Sequence, residues 1–225
     1  MKKRYFTLFE ILLWSISVII LILSFLIFSN NQYHYLIGSI IGVTALIFLA
    51  KGNPIGQALT ILFAIFYGVI SYSYKYYGEM ITYLFMSAPT ALIALITWIK
   101  NPYGNNKYEV KINEISKKEW IFASFLTIFV TIAFYFILKA FNTNNLIVST
   151  ISVTTSFIAS YLAARRSRFY AICYSFNDIV LIILWGLASI NDISYIQMVI
   201  CFISFLVNDI YGFISLTKSM KRQKM

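Results

Sequence analysis

The chain has 225 residues, 60% of them hydrophobic and 12% charged, with mean hydropathy +0.78 and formal net charge +10. Soluble domains carry about a quarter charged residues, so this composition argues against a soluble protein and for an all-α polytopic membrane protein. The alternating segments of a β-barrel are missing, and the placement of the positive charge argues against nucleic acid as a partner.

Lys2, Lys3 and Arg4 precede the apolar run Ile11–Ser29. It is too long for the core of a signal peptide and lacks a small-residue cleavage site, so it reads as an uncleaved span. Further spans are expected at Tyr35–Ala50, Ile55–Tyr74, Met80–Ile99, Trp120–Ala140, Asn145–Ala164, Phe169–Ile190 and Ser194–Leu216, eight in all. Numbering the sides alternately puts every one of the 18 basic residues except Lys75 and Lys139 on one side. That asymmetry is the positive-inside pattern, which makes both termini cytoplasmic.

The spans group unevenly. The reading is an amino-terminal tail and extra span (1–34), a first three-helix bundle (35–99), and a cytoplasmic loop with a linker helix (100–144). A second three-helix bundle (145–217) and a basic cytoplasmic tail (218–225) follow. Each triplet opens on a helix rich in small and hydroxyl residues, Gly38–Ala50 and Ser149–Ala164. In each, a basic turn comes next, Ala50–Asn53 and Ala163–Arg168, and then an acid-bearing outer turn, Tyr76–Met80 and Ile190–Tyr195. The single helix between keeps the triplets in one orientation, as in parallel-repeat transporters whose site lies at the repeat interface near mid-membrane.

The seventh span carries Asn177 and Asp178 near its middle, and the eighth carries Asn208 and Asp209. A carboxylate at that depth costs several kcal/mol and faces a bundle interior or wet cavity. At 3.6 residues per turn, Tyr170, Cys173, Tyr174, Asn177, Leu181 and Trp185 share a face, with rings bracketing an amide. Tyr170, Cys173, Asn177, Trp185 and Asn208 are therefore candidate substrate contacts. Gln57, Tyr67 and Tyr83 are the first triplet's polar candidates. Asp178 and Asp209 are candidates for a proton-relay or a structural role, with no Lys or Arg in the core of any span to pair with them. Pro89 should kink the fourth span. Tyr72, Tyr74, Tyr76 and Tyr77 read as interface anchors, His34 as a solvated loop residue, and Cys173 and Cys201 also fit as small buried hydrophobes. The chain has no Walker motif, no HExxH, no Gly-rich dinucleotide loop and no Ser/His/Asp constellation. It is expected not to be an enzyme and to need no cofactor or metal.

From about Tyr35 to Lys218 the chain resembles the PnuC-type vitamin transporters. The resemblance rests on the run from Gly38 through Ala50–Gly52, the turn Tyr77–Glu79, and the span ending at Trp98. In the second half it rests on the Arg165/Arg166 turn, Tyr170, Cys173, Asn177 and Asn208. The opening Thr7–Glu10 before an extra span resembles members from Gram-positive bacteria. The resemblance implies a SWEET-like fold of two three-helix bundles and a linker helix, in a homotrimer in the bacterial cytoplasmic membrane. It implies import of nicotinamide riboside, a vitamin B3 form and NAD precursor, by facilitated diffusion, with trapping when a cytosolic kinase phosphorylates it. The family's W-x-x-W-x-x-x-N motif falls on Tyr170, Cys173 and Asn177. The Asn is kept, one ring is smaller, one is lost, and Tyr174 is the neighbouring replacement. Altered rings leave thiamine, riboflavin or a deoxynucleoside as alternative cargo. A proton-coupled carrier using Asp178 and Asp209 is a second hypothesis, and a membrane enzyme or non-transporting scaffold a third.

Overall fold

The computed structural model describes residues 5–28, 33–73 and 76–225. Lys2, Lys3, Arg4 and Lys75, and the expected span ends at Ser29 and Tyr74, lie outside the described residues. The helices are α1 Leu8–Phe28, α2 Tyr33–Ala50, α3 Pro54–Ser73, α4 Tyr77–Thr82, α5 Ala88–Lys100, α6 Lys117–Ala140, α7 Leu146–Ala164, α8 Phe169–Ser189 and α9 Ile196–Lys224. With α4 and α5 counted as one span, Tyr77–Lys100, eight helices among the described residues are long and apolar enough to cross a membrane.

The helices pack as a ring. α2 lies on α3, α3 on α5, α5 on α7, α7 on α8, α8 on α9, and α9 closes back onto α2. α6 packs outside the ring on α7, and α1 outside on α2 and α9. Those two expose most of their apolar side chains, Ile16, Ile19 and Leu23 on α1 and Phe125, Phe129 and Phe136 on α6. An apolar face is free of penalty toward lipid, where it would be costly toward water.

The start of α1 is fixed locally. Thr7 and Glu10 form a capping box: the Glu10 amide donates to Thr7 Oγ1 at 3.2 Å, and the Thr7 amide to Glu10 Oε2 at 2.7 Å. The Glu10 carboxylate also meets Lys51 Nζ at 3.1 Å and accepts from the Tyr211 hydroxyl at 2.7 Å. So Thr7–Glu10 both starts the extra span and fastens it to the ring.

The two basic turns are built alike. Gly52 and Arg166 hold left-handed φ values of 67° and 60°. The Asn53 amide donates to Phe48 O and the Gly52 amide to Leu49 O, while the Ser167 amide donates to Leu162 O and the Arg166 amide to Ala163 O. Both are Schellman ends. Asn53 Oδ1 then accepts from the Ile55 amide at 2.9 Å, and Ser167 Oγ from the Phe169 amide at 3.4 Å, to start the next helix.

Two details differ from the sequence expectation, and a third adds to it. The stretch 100–119 is not a plain loop: Pro102–Tyr103 and Asn106–Val110 form a short antiparallel hairpin. The hairpin and the residues that follow it lie across both basic turns, the Val110 amide donating to Gly52 O at 2.8 Å and the Asn113 amide to Arg166 O at 3.0 Å. The segment 218–225 is not a separate tail, because α9 continues to Lys224. The loop carboxylates Glu109 and Glu114 pair with Arg222 and Lys224, and this contact with Lys224 holds the Glu114 carboxyl below its ordinary range. Pro89 is the second residue of α5. The helix widens into a π turn over Tyr83–Ser87 just before it, which relieves the clash between the proline ring and the preceding carbonyl.

Candidate functional site

A cavity of about 60 Å³ lies inside the ring, lined by residues of α2, α3, the π turn, α8 and α9. Its polar wall is Tyr83, Ser87, Tyr174, Asn177, Asp178 and Asp209, and its apolar wall includes Phe63, Phe202 and Phe205. A second groove, of about 320 Å³, runs between α1 and α2 past Phe6, Trp14 and Phe48. It lies outside the ring and is almost wholly apolar, so it offers little to orient a polar cargo.

Asn177 is held from the α7 side. Its Oδ1 accepts from Thr155 Oγ1 at 2.8 Å and Ser156 Oγ at 2.9 Å, with Ser152 Oγ at 3.5 Å. The Tyr83 side chain stands beside Asn177 in the cavity wall. Tyr83 owes its position to the π turn, which adds a residue to one helical turn and re-aims the side chains around it. Tyr174 is fixed by Ser160, hydroxyl to hydroxyl, at 2.9 Å. Asp178 and Asp209 meet across α8 and α9, carboxyl hydrogen-bonded to carboxyl. Among the described residues no Lys or Arg lines the cavity.

Other expected contacts fall at the ends of the cavity or behind it. Trp185 and Tyr67 are fully buried, and the Trp185 indole N–H donates to the Tyr67 hydroxyl at 2.7 Å. The Tyr67 ring lies 4.2 Å from Tyr83, so this pair caps the cavity at the end away from the basic turns. Tyr170 sits at the basic end. Its hydroxyl donates to Leu49 O at 3.1 Å and its ring packs 5.9 Å from Trp98. Trp98 Nε1 in turn donates to Ala163 O at 2.8 Å, and Thr97 Oγ1 to Ala164 O at 2.9 Å. Cys173 is half-buried among residues packed beside Tyr170 and does not line the cavity. Gln57 is buried on α3, also away from the lining. Asn208 turns toward α1, donating to Ser17 Oγ at 3.0 Å and Ser204 O at 2.8 Å. Of the expected contacts, then, the structure gathers Tyr83, Asn177, Asp178 and Asp209 at one cavity. Tyr67, Trp185 and Tyr170 close its two ends.

Some lining residues escaped the sequence reading, and the paired turns would have found them. Counting equally from Asn53 and Ser167, Thr60, Phe63 and Ala64 of α3 match Tyr174, Asn177 and Asp178 of α8, and all six line the cavity. Both helices supply a hydroxyl, and α8 adds amide and acid where α3 supplies Phe and Ala. Glu79 was also missed. It is fully buried on α4 and neighbours Tyr67, Tyr83 and Ser152.

The sequence pattern described as "Nicotinamide mononucleotide transporter" matches residues 32–218. A nicotinamide riboside transporter PnuC of Neisseria mucosa is 22% identical over 200 residues, covering 87% of this chain and 76% of that protein. One of Haemophilus influenzae is 23% identical over 188 residues, covering 83% and 80%. A crystal structure of the vitamin B3 transporter PnuC superposes with TM-score 0.84 at 22% identity, covering 97% of this chain and 94% of the other. The matching pattern and the named relatives, with a polar cavity inside a ring of membrane-crossing helices, make this chain a small-molecule transporter rather than an enzyme. Within that class the chain belongs to the nicotinamide mononucleotide transporter family, whose named relatives here are PnuC proteins.

Proposed function

We propose that this chain imports nicotinamide riboside by facilitated diffusion across a bacterial cytoplasmic membrane, with both termini in the cytoplasm. The names of the two relatives support the riboside. The observation that carries the choice of riboside over mononucleotide is the lining itself, which holds Asp178 and Asp209 and no base. A phosphate would bring about two negative charges beside two carboxyls, with no Arg or Lys to receive them.

Substrate enters when α2, α3 and the fourth span rock against α7, α8 and α9 as two bundles, because sites for drug-sized ligands run to about 300 Å³ or more and this cavity is far smaller. Asn177 and Tyr83 bind the amide or ribose, and Tyr174 stacks on the ring. A cytosolic kinase then traps the riboside as a phosphate. The functional unit is a homotrimer.

Uptake into liposomes containing the purified chain tests this. Labelled riboside is offered with unlabelled mononucleotide, thiamine, riboflavin or deoxynucleosides as competitors, with and without an imposed proton gradient. Saturable, gradient-independent riboside uptake that mononucleotide does not compete for is the expected result. Uptake that follows the gradient would replace facilitated diffusion by proton coupling through Asp178 and Asp209. No riboside uptake, with uptake of a competitor, would reassign the cargo.

A further inference from the structure

The cavity's acids are not used by the contacts that hold the amide, ribose and ring of the riboside. Asp178 is 3% exposed and Asp209 5% exposed. They sit on facing helices, α8 and α9, with their carboxyls hydrogen-bonded to each other. A buried carboxylate without a counter-charge is costly, and an apolar or amide side chain would spare that cost. Two observations besides the acids point to what offsets it. Apart from the Asp209 carboxyl, Asp178 Oδ2, buried in the cavity wall, has no hydrogen-bond partner among the described residues. Five aromatic rings, Phe63, Tyr83, Tyr174, Phe202 and Phe205, line the same cavity. Ring faces attract cations, and the attraction grows when water is excluded.

We propose that Asp178 and Asp209 are the counter-ion of the substrate, and that the site selects an aromatic heterocycle bearing a fixed positive charge. The inference rests on reading this cavity as the substrate site. Nicotinamide riboside qualifies, since its pyridinium nitrogen is quaternary, and thiamine qualifies through its thiazolium. Riboflavin and deoxynucleosides are neutral and do not. The ring of the cation lies against the aromatic wall, and its charge lies toward Asp178 Oδ2. A single negative charge on the pair, with one proton shared between the carboxyls, makes the loaded site electroneutral. That favours carrying a cation through hydrocarbon depth.

The test compares nicotinamide riboside with its dihydro form, which differs by one hydride, keeps nearly the same shape and is uncharged. Both are offered to liposomes containing the full chain. The wild-type protein should take up the cation at least tenfold better than the dihydro form. Asp178→Asn and Asp209→Asn should each lower that ratio by threefold or more. Equal uptake of the two forms overturns the inference and leaves the riboside transporter standing. Failure to transport either form, with thiamine taken up in preference to riboflavin, overturns the riboside and keeps the cation rule. Uptake of riboflavin or a deoxynucleoside alone overturns both. The wild-type ratio decides the matter even if neither variant folds.

Discussion

The indole N–H of Trp185 on α8 donates to the hydroxyl of Tyr67 on α3 at 2.7 Å, between two fully buried side chains. The two residues come from opposite sides of the cavity, so this bond exists only while that end is shut. A buried hydrogen bond contributes about 1 kcal/mol. Trp185→Phe and Tyr67→Phe should each shift the carrier toward opening at that end by roughly fivefold. The double variant should shift it little further, because both changes remove the same bond. Labelling of a cysteine placed at Ala64 by a water-soluble thiol reagent, against a background lacking Cys173 and Cys201, would check this. Additive effects of the two single changes would break the pairing argument.

Tyr170 divides two readings cleanly. As a cargo contact, loss of its hydroxyl raises the KM for riboside. As a closure residue, its hydroxyl serves Leu49 O at the basic end. Tyr170→Phe should therefore lower thermal stability by about 1 kcal/mol and leave the KM within about twofold. A tenfold rise in KM with unchanged stability would return Tyr170 to the binding site.

Asn177 depends on its supports. Thr155 and Ser156 hold its side-chain oxygen at 2.8 and 2.9 Å. Asn177→Ala should reduce riboside uptake by at least tenfold. The double change Thr155→Val with Ser156→Ala keeps the amide but leaves it free to rotate, and should weaken riboside binding several-fold at preserved folding. Unaltered affinity in that variant would mean the amide is positioned from elsewhere.

The paired turns make opposite predictions from one geometry. Gly52 has φ 67° and an added Cβ would stand 3.4 Å from Val110 Cγ1. A left-handed residue other than Gly costs about 1–2 kcal/mol, so Gly52→Ala should lower the melting temperature. Arg166 already bears that cost at φ 60°, so Arg166→Gly should raise it. Differential scanning fluorimetry in detergent reads both. A fall in both variants would mean that side-chain contacts of Arg166 outweigh its backbone strain.

The eight spans, the repeat of turns and the mid-membrane amide and acid were legible in the sequence because each has a local cause: apolar length, a Schellman end, a polar residue at a costly depth. Which face of a helix meets the cavity was less legible. Asn208 and Asp209 are neighbours, yet one turns to Ser17 and the other to Asp178. Helical periodicity separates such neighbours by about 100° but cannot say which faces inward. Tyr83 was named from the sequence, but its orientation was hidden for another reason. A π turn breaks the 3.6-residue count through Tyr83–Ser87, so no regular wheel places that side chain. Thr7–Glu10 was readable as a capping box, and the ion pair it makes with Lys51 was not, since that depends on tertiary approach.

The hairpin after α5 has a consequence for the order of events. At the basic end the hairpin and the residues that follow it bridge Gly52 and Arg166, Trp98 and Thr97 hold the end of α7, and Tyr170 holds Leu49. Releasing cargo on that side means undoing several of these bonds together, whereas the far end is latched chiefly through Trp185 and Tyr67. The two doors are thus unequal in weight, and the lighter one opens at the smaller cost. Such inequality cannot drive net flux around a closed cycle, because what it adds to one half-turn it subtracts from the other. What it sets is the resting posture, facing the side away from the basic turns.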